Sequence, residues 1–210
     1  YAPDGKLFDH RGTFGYSDGI SSHRTEPFLD QIELRVTDGS IKQPLRVWFS
    51  GPTGEPRAIA ISRQELNLPN PITVAEFQQN LQAKYGPPTG ETPGSALYWE
   101  ESGKPSCIRE SWGIAIREFG KFPLGQVNVS QAMAGLARDQ PRSSVLPADL
   151  ETCGTFVFVT ISMDPVRAFS AGLYDVGAMA ATFNARNAWV EGLTAEATRK
   201  RQGQSQAPRL

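Results

Sequence analysis

Histidine is scarce in this chain: His10 and His23 are the only two, and both lie near its N-terminal end. A thiol or hydroxyl nucleophile needs a base within reach, and both histidines are far in sequence from Cys107 and Cys153. Thiol catalysis therefore has no support. The sequence also lacks a G-x-S-x-G elbow, a phosphate-cradling glycine loop and an H-E-x-x-H stretch, the local signatures of common hydrolases and nucleotide enzymes. No catalytic set assembles itself, and no cofactor is called for.

Cysteine is equally sparse. Two cysteines alone do not make a structural zinc site, which takes four ligands, and neither sits in a C-x-x-C redox motif. An excess of one charge is missing too: 21 Lys and Arg stand against 22 Asp and Glu, a formal net charge of −1. A phosphate backbone is bound through a concentrated positive field, so a nucleic-acid partner is not expected. The densest basic cluster, Arg199, Lys200 and Arg201, reads as a solvated helix end. No apolar run approaches the roughly 18 residues that cross a bilayer. The chain starts at Tyr1 rather than Met, which points to an upstream segment removed as a signal peptide or cut away with a larger protein.

What is present is turn chemistry. Twenty Gly and sixteen Pro among 210 residues favour short elements joined by tight turns. Residues 1–28 show no sustained period and read as an irregular arm pinned by Phe8, Phe14 and Tyr16, with space for one short strand. Beyond it, Ile32, Leu34 and Val36 alternate with Gln31, Glu33 and Arg35, the period of a half-buried strand. Asp38-Gly39 turns the chain, Leu45, Val47 and Phe49 alternate again, and residues 57–62 give a third strand, together an antiparallel meander.

A helix follows. Thr73 and Glu76 have capping-box spacing, and Ile72 is placed to staple onto Phe77. Val74, Phe77 and Leu81 share a face, and Gly86 before Pro87-Pro88 stops the helix. Residues 96–100 read as a strand. Residues 107–150 are weakly patterned, with a strand near 114–117 and a short helix near 129–137. Residues 156–161 are apolar on both sides, as in a central strand, and 166–174 form its antiparallel neighbour. A second helix, capped by Asp175, runs to about Arg199 with Val176, Met179, Phe183, Val190 and Leu193 as its apolar stripe.

Cys107 and Cys153 are expected to form one disulfide that tethers the 107–152 excursion to the sheet. The chain-entropy gain for so long a loop is about 4 kcal/mol. Two buried free thiols in a reducing compartment are the alternative. Asp9, His10, Asp18 and His23 form a candidate metal group, since mixed imidazole and carboxylate suits zinc or manganese. Their alternative is a surface loop whose Asp and Ser residues make turns. Glu100, Glu101, Glu110 and Glu118 supply carboxylates for a hydrolase reading, although adjacent strand positions point to opposite faces. Trp189, at the edge of the second helix's stripe, and Trp112 are the candidate partner-binding residues; Trp48 and Trp99 read as core.

The run F-Q-Q-N-L-Q-A-K-Y-G-P-P from Phe77, then Leu97-Tyr98-Trp99 with a G-K-P turn, the cysteine pair, and L-Y-D leading into an Ala-rich helix resembles uncharacterised exported proteins of Gram-negative bacteria over roughly residues 71–195. The resemblance implies a periplasmic or secreted setting and brings no catalytic residues.

The expected architecture is α+β, an antiparallel sheet of about five to seven strands with two helices on one face. The expected organisation is an arm over 1–28, a single domain over 29–202 and a disordered tail over 203–210. The expected function is a non-catalytic binding or assembly module of the envelope or extracellular space, with a protein partner or self-association. A hydrolase built from dispersed carboxylates or from the His/Asp group is the alternative.

Overall fold

The structure is a computed structural model that describes residues 5–38, 41–92, 96–105, 151–161 and 163–205. Cys107, Trp112, Glu110, Glu118 and the strand and helix expected within 107–150 lie outside the described residues.

The fold is α+β: one eight-stranded antiparallel sheet, a separate two-stranded sheet and two helices. The N-terminal half contributes β1 (Lys6–Gly12), β2 (Gly15–Ser17), β3 (Ser22–Arg24), β4 (Phe28–Asp38), β5 (Ile41–Phe49), β6 (Ala58–Glu65) and α1 (Val74–Tyr85). After these come β7 (Gly90–Thr92), β8 (Ala96–Glu100), β9 (Thr155–Ile161), β10 (Phe169–Asp175) and α2 (Val176–Ser205). The large sheet runs β1-β4-β5-β6-β10-β9-β8-β7. The expected meander is β4-β5-β6, and β10 closes the sheet by pairing with both β9 and β6.

The first helix forms as its local chemistry dictates. Thr73 Oγ1 accepts from the Glu76 amide at 3.2 Å, and Asp164 Oδ1 accepts from the Val74 amide at 3.2 Å. Two otherwise unpaired N-terminal amides are thereby satisfied. Gly86, at φ 81°, ends the helix and donates to the Gln82 carbonyl at 2.8 Å. Phe77 then packs with Val159, Ile161 and Val166, with Ile72, Val74 and Leu81 around them.

Strand alternation puts Val159 and Ile161 on the α1 side of the sheet and Phe156 on the other. Phe156, Tyr174, Ala60 and Trp48 lie in one cross-strand row, and all four are buried. The sheet is thus a middle layer here, with both sides covered, whereas two helices on one face leave the far side open.

The N-terminal arm is more regular than expected. It holds β1, which forms the edge of the large sheet against β4, and the β2–β3 hairpin, which lies against α2. β1 is exposed over nearly its whole length. Burial therefore imposes no apolar period on it; pairing with β4 holds it, helped by the His10–Glu33 contact at 3.4 Å and the Arg35 guanidinium over the Phe8 ring. The second helix also runs further than its expected end at Arg199, reaching Ser205 and including Gly203. Asp175 caps it as expected, accepting from the Ala178 amide at 2.8 Å. No helix among the described residues is long and apolar enough to cross a membrane.

Candidate functional site

Two clusters join the N-terminal arm to α2, one structural and one open to solvent. The structural one centres on Arg186, only 4 % exposed although charged. Its Nη2 donates to Asp30 Oδ1 at 3.0 Å and to the Phe49 carbonyl at 3.1 Å. The guanidinium lies 5.5 Å from the Phe28 ring and 5.9 Å from the Phe14 ring, and those two rings stack at 5.3 Å. Burial pushes the Asp30 carboxyl above its ordinary range, with Arg186 pulling against it, and lowers Arg186. Both shifts are the desolvation of a paired charge. Trp189, half-buried as its place at the edge of the helix stripe implies, meets Phe14 edge-on at 6.3 Å.

The open cluster is a cleft of about 360 Å³ between the β2–β3 hairpin and the later turns of α2. The hairpin supplies Tyr16, Asp18 and His23; the helix supplies Leu193, Glu196, Ala197, Lys200 and Arg201. The hairpin tip is built by Asp18, whose Oδ1 accepts from the amides of Ile20 at 2.8 Å and Ser21 at 2.6 Å. This is an Asx turn, and Gly19 takes its φ of 92° inside it. The amides of Ser21 and Ile20 hold the Asp18 carboxyl down at about 2. His23 stacks on Tyr16 at 5.2 Å and places Nε2 3.5 Å from Asp18 Oδ2. Lys200 Nζ pairs with Glu196 Oε1 at 2.6 Å, which lowers the Glu196 carboxyl and raises the Lys200 amine. Arg201 is different: its Nε is shielded from solvent and has no hydrogen-bond partner among the described residues.

The four residues of the expected metal group do not converge. Asp18 and His23 share the hairpin, whereas His10 lies 3.4 Å from Glu33 and Asp9 pairs with Arg11 at 3.3 Å on β1. The two elements belong to different sheets, which separates the pairs. Among the described residues no group of three or more His, Cys, Asp or Glu side chains is placed to hold a metal ion. Glu101 of the carboxylate group is engaged structurally, its Oε2 accepting from the Thr155 amide at 2.9 Å. Cys153 is buried, 5 % exposed, immediately before β9; its expected partner Cys107 lies outside the described residues.

Sequence reasoning did not find Glu33, Asp30 or Arg186. Glu33 sits on the supposed solvent side of the first meander strand yet is 5 % exposed. Arg35 at 2.7 Å, Arg46 at 3.7 Å and His10 surround it. Its carboxyl is lowered, chiefly by the Arg35 hydrogen bond. The available signal was the number of cations around it, Arg35 on its own strand and Arg46 and His10 on the strands to either side. For the cleft, the signal was an apolar pair, Leu193 and Ala197, beneath the basic trio.

Comparison with protein-family models, with curated proteins and with solved structures finds no match to this chain.

Proposed function

We propose that the protein is a non-catalytic binding module of the bacterial envelope or extracellular space, and that it takes its ligand in the cleft between the β2–β3 hairpin and α2. The observation that carries this reading is the cleft itself, in which polar and charged side chains of the hairpin face those of α2. Asp18 is held at about 2, Glu196 lies below its ordinary range and Lys200 above its own. A general acid or base works best with a pKa near the working pH. These groups are instead displaced away from neutrality and engaged with their own turn or with one another, which makes them poor proton carriers. The size agrees, since clefts that hold small molecules begin at about 300 Å³.

The setting rests on the cysteine pair. A bridge between Cys107 and Cys153 belongs to an oxidising compartment, in keeping with the resemblance to exported Gram-negative proteins.

The test is backbone-amide NMR of the full chain during titration with a small-molecule extract of bacterial envelopes. Shifts confined to Gly15–Arg24 and the Leu193–Arg201 stretch are expected. Extract-dependent shifts that avoid both stretches, or none at all, would reject the cleft as the binding element.

A further inference from the structure

Resting on that reading, we propose that the cleft takes a small molecule bearing a carboxylate or phosphate oxyanion, anchored on Arg201. The inference follows from accounting for each charge in the cleft. The Asp18 carboxylate is spent on two amides of its own turn and on His23. Glu196 and Lys200 neutralise one another at 2.6 Å. Among the described residues that leaves Arg201, whose Nε is shielded from water and has no hydrogen-bond partner there. A Cβ built on Gly19 would lie 3.6 Å from Arg201 Nη2, so the guanidinium rests beside the hairpin tip.

With Nε shielded, the guanidinium's terminal Nη groups, beside the hairpin tip, are the donors that a ligand acceptor would meet. A guanidinium presents parallel N–H groups that match a carboxylate or phosphate in two-point fashion. The occupant is therefore an oxyanion. Its charge is limited by the Asp18 and Glu196 carboxylates in the same lining, which favour a single negative charge over two. Its body is apolar or planar, because Leu193, Ala197 and the Tyr16 ring complete the wall.

The experiment uses the full chain and four probes, each followed by amide NMR at millimolar concentration. Benzoate is the planar carboxylate, inorganic phosphate the alternative oxyanion, benzamide the uncharged analogue and benzylammonium the cation. Benzoate or phosphate should shift the amides around Gly19 and Arg201, and benzamide and benzylammonium should not. Arg201→Gln should weaken the effective probe about tenfold or more, the value of a charge-assisted hydrogen bond. Arg201→Lys, which keeps the charge and loses the fork, should fall between. Arg199→Gln, an exposed neighbour outside the lining with the same change in net charge, should bind as the wild type does.

Which oxyanion binds better distinguishes a carboxylate ligand from a phosphate one. Equal binding of benzamide or benzylammonium, or affinity indifferent to Arg201→Gln in a variant of unchanged melting temperature, overturns the oxyanion and leaves the cleft standing. Silence of all four probes also overturns it, while the extract titration decides separately whether the cleft binds anything.

Discussion

Arg186 and Asp30 stand 156 positions apart in sequence and meet at 3.0 Å beneath the Phe14–Phe28 stack. The pair ties the last helix to the first long strand, so the cleft depends on it. Removing one partner of a buried pair leaves an uncompensated charge and costs about 3–5 kcal/mol. Asp30→Ala and Arg186→Met should each destabilise the protein by about that much in urea unfolding. The double variant Asp30→Leu with Arg186→Met should recover most of the loss, because an apolar pair carries no desolvation penalty. Additive losses in the double variant would show that the two residues do not act as a pair.

How much of this was legible depends on how local each cause is. The first helix was readable to its ends because Thr73, Glu76, Phe77 and Gly86 act within a few residues of one another. The β9–β10 pair was readable because Phe156–Ile161 is apolar on both faces. The arm was allowed one short strand, but β1 could not be placed within it, since an edge strand exposed over nearly its whole length shows no period to read. Arg186 reads as one more polar helix residue until its partner arrives from the far end of the chain. The cleft was hidden for a related reason. Arg199–Arg201 looks like a helix end, and only the continuation to Ser205 makes it a wall.

The hairpin that forms the other wall should be acid-sensitive through Asp18. Its folded pKa, about 2, lies below the ordinary 3.8. A carboxyl lowered on folding stabilises above its unfolded pKa and loses that effect as pH falls through the folded one. The Ile20 and Ser21 amides should therefore stay protected from exchange down to about pH 4 and lose protection between there and about pH 2. Asp18→Asn keeps an acceptor for those amides and should hold the turn without the pH dependence. Asp18→Ala should open the turn at every pH. An unchanged acid profile in Asp18→Asn would place the sensitive group elsewhere.

Two glycines should respond to alanine in opposite directions. A Cβ at Gly51 would meet the Arg186 guanidinium, which is already held by Asp30 and Phe49. Overpacking of this kind costs about 1–3 kcal/mol. Gly192 lies inside α2 with nothing within 4 Å of the position, and helix propensity favours alanine there by about 1 kcal/mol. Gly51→Ala should lower the melting temperature and Gly192→Ala should raise it. A neutral Gly51→Ala would mean that Arg186 moves freely, which would also weaken the case for the buried pair.

The proposed Cys107–Cys153 bridge makes the last prediction. Cys153 lies buried directly before β9, and Gly177 of α2 comes so close to the Cys153 carbonyl that a Cβ there would meet it at 2.6 Å. A link at this point fastens the excursion to the start of both β9 and α2. Alkylation of the unfolded, unreduced protein should add no mass, and alkylation after reduction should modify both cysteines. Replacing both by serine should cost about 4 kcal/mol if the bridge acts through loop closure, with unfolding at lower urea. Two alkylated cysteines without reductant would remove the bridge, and with it the argument for an oxidising compartment, while leaving the cleft and its ligand to be tested independently.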